Sequence, residues 1–294
     1  MTLPGATAAR RADESAVPWD ERLPALRADL LDRYLDFTGA ARPADPSLAA
    51  LRDLQLAHLL AIRFETISPM LDEPIPLDED AIAAKLLCGH RGGYCFEHNL
   101  LFGRALRALG FDAEILAGRA MLDATAEDPR PRTHIAVRVR VDGGDWLADV
   151  GFGRSAFRSP VDLRVREPQH TGGYLMRIDE VGGEFLVSAG LPGRELVAQY
   201  LLDPRPVQQI DCEQLGLWVA QDPRSITRQS LIVLRPMPEG RRAIGRGRLV
   251  IDEPGRQIDR ALSLEEIDDV LREEFDLQLP APLPALVRPT GRWD

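Results

Sequence analysis

A short block around one cysteine carries the residues best suited to chemistry. It reads RGGYCFEHN from Arg91 to Asn99, and it places Cys95 after two glycines, at the predicted start of a helix. Exposed backbone N–H groups and the helix dipole favour negative charge at such a position, so they lower the pKa of a thiol. An isolated cysteine is more often a small buried apolar residue. The glycines and the helix start favour a nucleophile here.

A nucleophilic cysteine needs a base, and the base needs an orienting group. His134 begins an alternating strand, and Asp149 lies on the strand that returns after Asp142-Gly143, a strong hairpin-turn signal. If those two residues form the turn, His134 and Asp149 point to one face as diagonal neighbours, about 7–8 Å apart at the backbone. A turn one residue later would instead pair Asp149 with Arg138. Considering the hairpin alone, a lone surface histidine with Asp149 paired to Arg138 stays as open as a His134–Asp149 pair.

The elements that must position these residues change character along the chain. The first third has apolar residues at helical spacing, with helix starts at Asp45-Pro46 and Asp78 and a further helix from Cys95 to Leu109. The middle of the chain reads as strands. The last third mixes strands with one helix, which follows a capping box at 263–266. The organisation is helical, then β, then mixed α/β.

Length and composition exclude several classes of protein. The 294 residues suit about two domains, or three small ones, and 45% hydrophobic with 28% charged residues is typical of globular proteins. A net charge of -10 argues against general nucleic-acid binding. Lys85 is the only lysine among 36 basic residues, which we interpret as codon bias in a GC-rich genome.

Cysteine usage and hydropathy favour a cytoplasmic protein. The three cysteines are too few, and odd in number, for a disulfide framework, so a reduced compartment is favoured. No stretch of about 18 apolar residues predicts a membrane span. Residues 1–21 lack the apolar core of a secretory signal, and we interpret them as a flexible leader.

Three ordered blocks, RGGYCFEHN, PRTHIAV and LADVGFG, resemble the arylamine N-acetyltransferase family. The family's pattern is Arg-Gly-Gly-x-Cys-x-Glu-x-Asn, then Thr-His, then Val-Asp-Val-Gly-Phe-Gly. The segment AHLLAIRFETIS is similar to a family segment ending in Pro-Phe-Glu-Asn-Leu, with Arg63 in place of the proline and Thr66 in place of the asparagine. The resemblance covers about residues 22–160 well and the rest loosely.

The resemblance implies an α+β fold with a cysteine-protease-like Cys-His-Asp core. An N-terminal helical domain over residues 22–110 would carry the nucleophile. A central β-barrel domain over residues 111–210 would carry the histidine and the aspartate. A linker and a C-terminal α/β lid domain with a Pro-rich tail would occupy residues 211–294.

The resemblance also implies a ping-pong acyl transfer without a metal. An acetyl group would pass from acetyl-CoA to a Cys95 thioester and then to the nitrogen of an arylamine, hydrazine or N-hydroxyarylamine. His134 would act as the base and Asp149 as its orienting group, and we expect both to depress the pKa of the Cys95 thiol. The expected partners are small molecules, with no nucleic acid and no membrane.

Further residues receive supporting roles from the same resemblance. Those expected to contact the acyl donor are Thr133, Gly151 and Phe152. Those expected to support the nucleophile loop or the catalytic set are Arg91, Glu65, Glu97 and Asn99.

Three alternatives remain open at the level of sequence. Ansamycin-type amide synthases are relatives that would close a macrolactam from a carrier-bound polyketide, and Ile226, where the family often has an aromatic residue, fits their more open pocket. Cysteine proteases and transglutaminases share the order Cys, His, Asp/Asn. A zinc-binding module is the third, since four Cys and His residues lie within one short window: Cys88, His90, Cys95 and His98.

Overall fold

The computed structural model describes residues 23–122, 130–155 and 157–287, so the predicted leader at 1–21 lies outside the described residues. The helices are α1 Ala28–Thr38, α2 Leu48–Ala61, α3 Ile67–Met70, α4 Glu79–Leu86, α5 Cys95–Ala108, α6 Gln209–Gln221, α7 Ile226–Gln229 and α8 Ile267–Phe275. The strands are β1 Phe64–Glu65, β2 Asp112–Ala120, β3 His134–Val141, β4 Gly144–Ala148, β5 Val161–Asp162, β6 Gln169–His170, β7 Leu175–Val181, β8 Glu184–Gly190, β9 Val197–Pro206, β10 Val233–Pro236, β11 Arg241–Gly245, β12 Arg248–Glu253 and β13 Arg256–Ala261.

These strands form two antiparallel sheets among the described residues. The larger sheet has the order β5-β4-β3-β2-β9-β8-β7-β6 and curls into a nearly closed barrel. The smaller sheet has the order β1-β10-β11-β12-β13, so its edge strand β1 comes from the helical third of the chain. The predicted α+β class is therefore confirmed. No described helix is long and apolar enough to cross a membrane.

Buried apolar side chains form three clusters that follow this organisation. One joins the helical part to β2, β3 and β4, a second lies between the smaller sheet and α8, and a third fills the barrel. Two segments cross the predicted boundaries, because Cys212 of α6 packs in the helical cluster and Ile67 of α3 packs beneath the smaller sheet. The domain division at residues 110 and 210 stays a prediction.

The hairpin of β3 and β4 has the predicted register. Val141 pairs with Gly144, and Asp142 and Gly143 form the turn with φ angles of 51° and 67°. Two positive φ angles define a type I′ turn, which matches the twist of the flanking strands. The Asp142 carboxylate also accepts the Leu48 backbone N–H at 2.8 Å, so the hairpin tip lies against the first turn of α2.

Two helix starts differ from the sequence expectation. The prediction of Asp45-Pro46 as the start of α2 is wrong, because Ser47 is the N-cap and its hydroxyl accepts the Ala50 N–H at 3.2 Å. Before α8, only half of the predicted capping box forms: Glu266 accepts the Ser263 backbone N–H at 2.8 Å, and the helix begins after Glu266. Asp78 caps α4 as predicted, since its carboxylate accepts the Ala81 N–H.

Candidate active site

The first turn of α5 holds the candidate nucleophile. Cys95 is the first residue of α5 and is 6% exposed. Glu97 reaches back to accept the Tyr94 backbone N–H at 3.1 Å, which satisfies one of the donors left free at a helix start. The Cys95 thiol donates to the Thr133 carbonyl at 3.6 Å, and Thr133 directly precedes His134.

His134 and Asp149 form the hydrogen bond that the hairpin register predicts. The distance from His134 Nε2 to Asp149 Oδ2 is 2.8 Å, and both side chains are buried. Because an ionised carboxylate only accepts hydrogen bonds, Nε2 carries the proton and Nδ1 is left as the basic nitrogen. The alternative pairing of Asp149 with Arg138 does not occur, since the Arg138 guanidinium binds Asp145 instead.

Asp149 is held by two further donors. Its Oδ1 accepts the Gly151 backbone N–H at 2.9 Å and Asn99 Nδ2 at 3.1 Å. Burial raises the pKa of Asp149, but His134 and these hydrogen bonds outweigh burial, and the pKa lies below its usual value. Asp149 is therefore a stable carboxylate partner for His134.

Next to a neutral His134, the pKa of the Cys95 thiol is raised, which is the opposite of the predicted direction. Burial raises the pKa of Cys95, and the negative charge of Asp149 raises it further, while the backbone N–H groups at the helix start lower it by less. The part of the expectation that rests on Asp149 is wrong, because a carboxylate opposes a second negative charge nearby. The part that rests on proton transfer to His134 stays a prediction. A thiolate at this site requires a proton acceptor within the site.

The residues expected to contact the acyl donor lie around this set. A Cβ on Gly151 would come within 2.9 Å of the Cys95 Cα, so the missing side chain lets this loop lie against α5. Phe152 contacts the His134 ring with centroids 5.1 Å apart. Tyr200 of β9, which sequence reasoning missed, contacts the same imidazole at 4.7 Å. Burial raises the pKa of Tyr200 well above its usual value, so its hydroxyl stays protonated.

Two ion pairs hold the loop before Cys95, and sequence reasoning anticipated one. Arg91 Nε donates to Glu65 at 3.1 Å, and Glu65 is fully buried. The missed pair joins Lys85 Nζ to Glu97 Oε2 at 2.9 Å. Burial raises the pKa of Glu97, and Lys85 pulls it back down. The signal was available in the sequence, because Lys85 is the only lysine.

The four residues of the zinc alternative do not converge. Cys88 is exposed, while Cys95 and His98 are buried. Both ring nitrogens of His98 have protein partners, His58 Nε2 at 2.9 Å and the Arg63 carbonyl at 3.0 Å. Over the described ranges no group of three Cys, His, Asp or Glu side chains could hold a metal ion. The zinc-binding alternative is not supported.

Ile226, the residue that motivated the amide-synthase alternative, begins α7. This short helix packs against α3 and α6. Its neighbour Arg228 is buried and donates to the Pro69 carbonyl at 2.6 Å. The segment thus joins the C-terminal third to the helical third of the chain.

Two solved structures similar to this one are arylamine N-acetyltransferases. The arylamine N-acetyltransferase of Nocardia farcinica aligns with a TM-score of 0.80 and 33% identity, over 90% of this chain and 95% of that one. The Mycobacterium marinum enzyme, solved in complex with CoA, aligns with a TM-score of 0.78 and 31% identity, over 84% of this chain and 92% of that one. The fold defines an enzyme of the acetyltransferase class.

Sequence similarity gives the family. The family described as N-acetyltransferase matches residues 47–283. A Salmonella typhimurium protein named arylamine N-acetyltransferase / N-hydroxyarylamine O-acetyltransferase is 39% identical over 195 residues, which is 66% of this chain and 69% of that protein. The chain belongs to the N-acetyltransferase family, and the resemblance drawn from its three sequence blocks is confirmed.

Proposed function

We propose that this enzyme transfers an acetyl group from acetyl-CoA to the nitrogen of an arylamine, hydrazine or N-hydroxyarylamine, through a thioester on Cys95. One arrangement carries the proposal. Asp149 fixes His134 through Nε2, and the Cys95 thiol donates a hydrogen bond to the carbonyl of Thr133, the residue before His134. The names of the relatives support the acceptor class, and the CoA complex of the M. marinum enzyme supports the donor.

In the first half of the reaction, His134 Nδ1 takes the proton of the Cys95 thiol. The transfer leaves the net charge of the site unchanged, so the Asp149 charge that opposes a lone thiolate now stabilises the imidazolium. The sulfur attacks the acetyl carbonyl and forms a new C–S bond. The bond to the CoA sulfur breaks, and the departing thiolate takes the proton from His134.

In the second half, the acceptor nitrogen attacks the carbonyl of the Cys95 thioester. The C–S bond to Cys95 breaks, the nitrogen loses a proton to His134, and the amide or hydrazide leaves. This restores the thiolate beside the imidazolium, which is also the state that begins the next cycle. Splitting one acyl transfer into two steps lowers the barrier of each.

In this proposal the acyl donor is contacted by residues of the loop after β4 and by residues near the start of β3, beside Cys95. Phe152 and Tyr200 present ring faces and edges next to His134, which suits an acetyl methyl group. Thr133 supplies the carbonyl that receives the thiol. Gly151 packs directly on Cys95, so in this proposal it keeps the loop close and leaves room at the sulfur.

The test is the intact-protein mass after mixing with acetyl-CoA alone. We expect the wild type to gain one acetyl group and to lose it when aniline is added. Cys95→Ala should gain none, because no thiolate is left to attack. Cys88→Ala is the matched control, because Cys88 is an exposed thiol and its loss should leave the acetylation intact.

Two results would overturn the proposal. One is a folded wild-type protein that gains no acetyl group. The other is an acetyl group that persists on Cys95→Ala. The relatives and structures reported above are all arylamine N-acetyltransferases, and none of them supports the amide-synthase alternative.

The proposal includes a cytoplasmic location and small-molecule partners. All three cysteines are free thiols, and the mechanism requires Cys95 to stay reduced. Acetyl-CoA and an aromatic or hydrazine nitrogen are the only partners that this chemistry needs.

A further inference from the structure

Arg63 contacts both the loop that presents Cys95 and a helix from the far end of the chain. It directly precedes β1, at the position where the family segment has proline. Its side chain is only 12% exposed, which is low for an arginine at the end of a helical segment. Neither the catalytic set nor the proposed mechanism explains this burial.

The backbone of Arg63 holds the nucleophile loop. Its carbonyl accepts the Gly93 N–H at 3.2 Å and His98 Nε2 at 3.0 Å. On the other side, the Gly93 carbonyl accepts the Glu65 N–H at 2.8 Å. The packing is so close that a Cβ on Gly92 would clash with the Arg63 carbonyl oxygen. The position of residue 63 therefore sets the position of the loop two residues before Cys95.

The side chain of Arg63 holds the end of α8. Nε donates to the Phe275 carbonyl at 2.9 Å, and one terminal nitrogen binds Asp276 Oδ2 at 2.6 Å. The other terminal nitrogen donates to the Ala61 carbonyl at 3.2 Å. A cation at the last carbonyls of a helix is favoured by the helix dipole and satisfies acceptors that have no partner within the helix.

The segment that follows α8 returns to the same loop. Asp276 Oδ1 lies 3.3 Å from His90 Nδ1, and the Gln278 N–H donates to the His90 carbonyl at 3.0 Å. Asp276 thus binds Arg63 with one oxygen and His90 with the other. The end of α8 is tied to both sides of the loop that runs from residue 88 to residue 93.

We propose that Arg63 is a positioning residue that couples the C-terminal sheet and α8 to the placement of Cys95. It acts through the Arg63 carbonyl and Gly93, not through contact with substrate. This inference rests on the proposed role of Cys95 as the nucleophile. A small displacement of a reacting group can cost up to about 100-fold in rate, so a loose loop would slow acetylation.

The test compares Arg63→Gln with Arg235→Gln. Arg235 lies on β10, close enough to Arg63 for their charges to interact, and donates to the Glu274 carbonyl at 3.1 Å. Its removal takes away one bond to the helix end but leaves the bonds of Arg63 to Phe275 and Asp276 in place. We expect Arg63→Gln to acetylate Cys95 roughly 10-fold more slowly or worse, and Arg235→Gln to stay within about twofold of the wild type. Arg63→Lys keeps a cation near Asp276 and should restore part of the rate.

A second readout separates this proposal from the proposed function. In a Cys88→Ala background, iodoacetamide alkylation of Cys95 against pH requires no acetyl-CoA. We expect Arg63→Gln to alkylate more slowly near pH 7 and to need a higher pH, because Cys95 is displaced from its proton acceptor. A wild type that alkylates readily but never becomes acetylated would refute the proposed function and leave the Arg63 comparison valid.

Equal rates and equal alkylation profiles for Arg63→Gln and Arg235→Gln would overturn the proposal. If Arg63→Gln does not fold, Asp276→Asn gives the same test, because Asp276 is half-exposed and asparagine tolerates its left-handed backbone, φ 53°. It removes the charge between Arg63 and His90, and it should slow acetylation in the same direction. An Asp276→Asn protein with the wild-type rate would count against the coupling.

Discussion

Two residue types occur only once in this chain, and both act at α5, the helix that begins with Cys95. Lys85 is the only lysine and Asn99 the only asparagine. Lys85 pairs with Glu97 at the start of α5, and Asn99 binds Asp149. Codon bias explains why arginine replaces lysine elsewhere, but it does not explain these exceptions. A compact ammonium suits the ion pair with the buried Glu97, and a short side chain with both a donor and an acceptor suits the buried position of Asn99.

The pKa of the Cys95 thiol gives a prediction at the scale of a residue. In a protein that carries only Cys88→Ala, we expect Cys95 to be alkylated at neutral pH, because His134 accepts its proton. In His134→Gln no acceptor remains, and burial with the Asp149 charge should move the thiol pKa above its usual value of about 8.5. Alkylation at pH 7.5 should fall by more than about tenfold.

Cys212 does not confuse that measurement, because burial raises the pKa of its thiol to about 12. Iodoacetamide rates measured between pH 6 and 10 would show the two profiles. A His134→Gln profile that coincides with the wild type would contradict the assignment of His134 as proton acceptor.

At the scale of elements, Asn99 joins α5 to the hairpin that carries the base. Its Nδ2 donates to the Ile135 carbonyl at 2.7 Å, and its Oδ1 accepts the Val150 N–H at 3.2 Å. The residue is fully buried. One side-chain amide therefore joins the helix that begins with Cys95 to the hairpin region that carries His134 and Asp149, in addition to their apolar packing.

Replacing Asn99 by alanine tests this junction. It would leave the Ile135 carbonyl and the Val150 N–H buried without a partner, at about 1–3 kcal/mol each, so we expect Asn99→Ala to lose roughly 2–6 kcal/mol of unfolding free energy. It also removes a donor that lowers the pKa of Asp149. Urea denaturation at pH 7.5 would measure the loss.

Gln229→Ala is the control for that experiment. The Gln229 amide also donates to a backbone carbonyl, that of Pro223 at 2.9 Å, but at an exposed site. Its removal should change stability by less than about 0.5 kcal/mol. An Asn99→Ala protein as stable as this control would show that the amide does not hold the junction.

At the scale of the whole molecule, a series of buried aromatic and imidazole side chains connects α1 and α2 to α5, the helix that begins with Cys95. The Tyr34 hydroxyl of α1 lies 3.2 Å from His58 Nδ1 of α2. His58 Nε2 is hydrogen-bonded to His98 Nδ1 of α5, and His98 Nε2 to the Arg63 carbonyl. Burial lowers the pKa of His58 well below its usual value and that of His98 to about 4. Both imidazoles are therefore neutral in the folded protein.

Acid should destabilise the fold through these two histidines. Their folded pKa values lie below the unfolded value of about 6.5, so the unfolded chain binds more protons as the pH falls from 6.5 towards 4. Their contribution is fully present above pH 6.5. Below it, each histidine removes up to about 1.4 kcal/mol of unfolding free energy per pH unit.

Chemical denaturation from pH 8 to pH 5 would measure this slope for the wild type and for His58→Gln. The variant should have a shallower slope, because one titrating group is gone. His170→Gln is the control, since His170 is exposed, and its slope should match the wild type. A His58→Gln protein with an unchanged slope would contradict the buried neutral pair.

The sequence by itself determined the chemistry and the local structure that depends on neighbouring residues. The motifs around Cys95 and His134 predicted the family, and Asp142-Gly143 predicted the hairpin register, because a type I′ turn is set by two adjacent residues. Exact helix starts were less predictable. Ser47 caps α2 in place of Asp45, since several residues in that segment are able to cap.

Only the tertiary structure decided the environment of those groups. The direction of the Cys95 pKa depends on burial and on Asp149, and neither the depth of a thiol nor the sign of its neighbours can be read from local sequence. The contacts of Arg63 with Phe275 and of Tyr200 with His134 join residues that are far apart in the chain. Such contacts arise from packing between elements, so a sequence motif can name the nucleophile but cannot show what holds it in place.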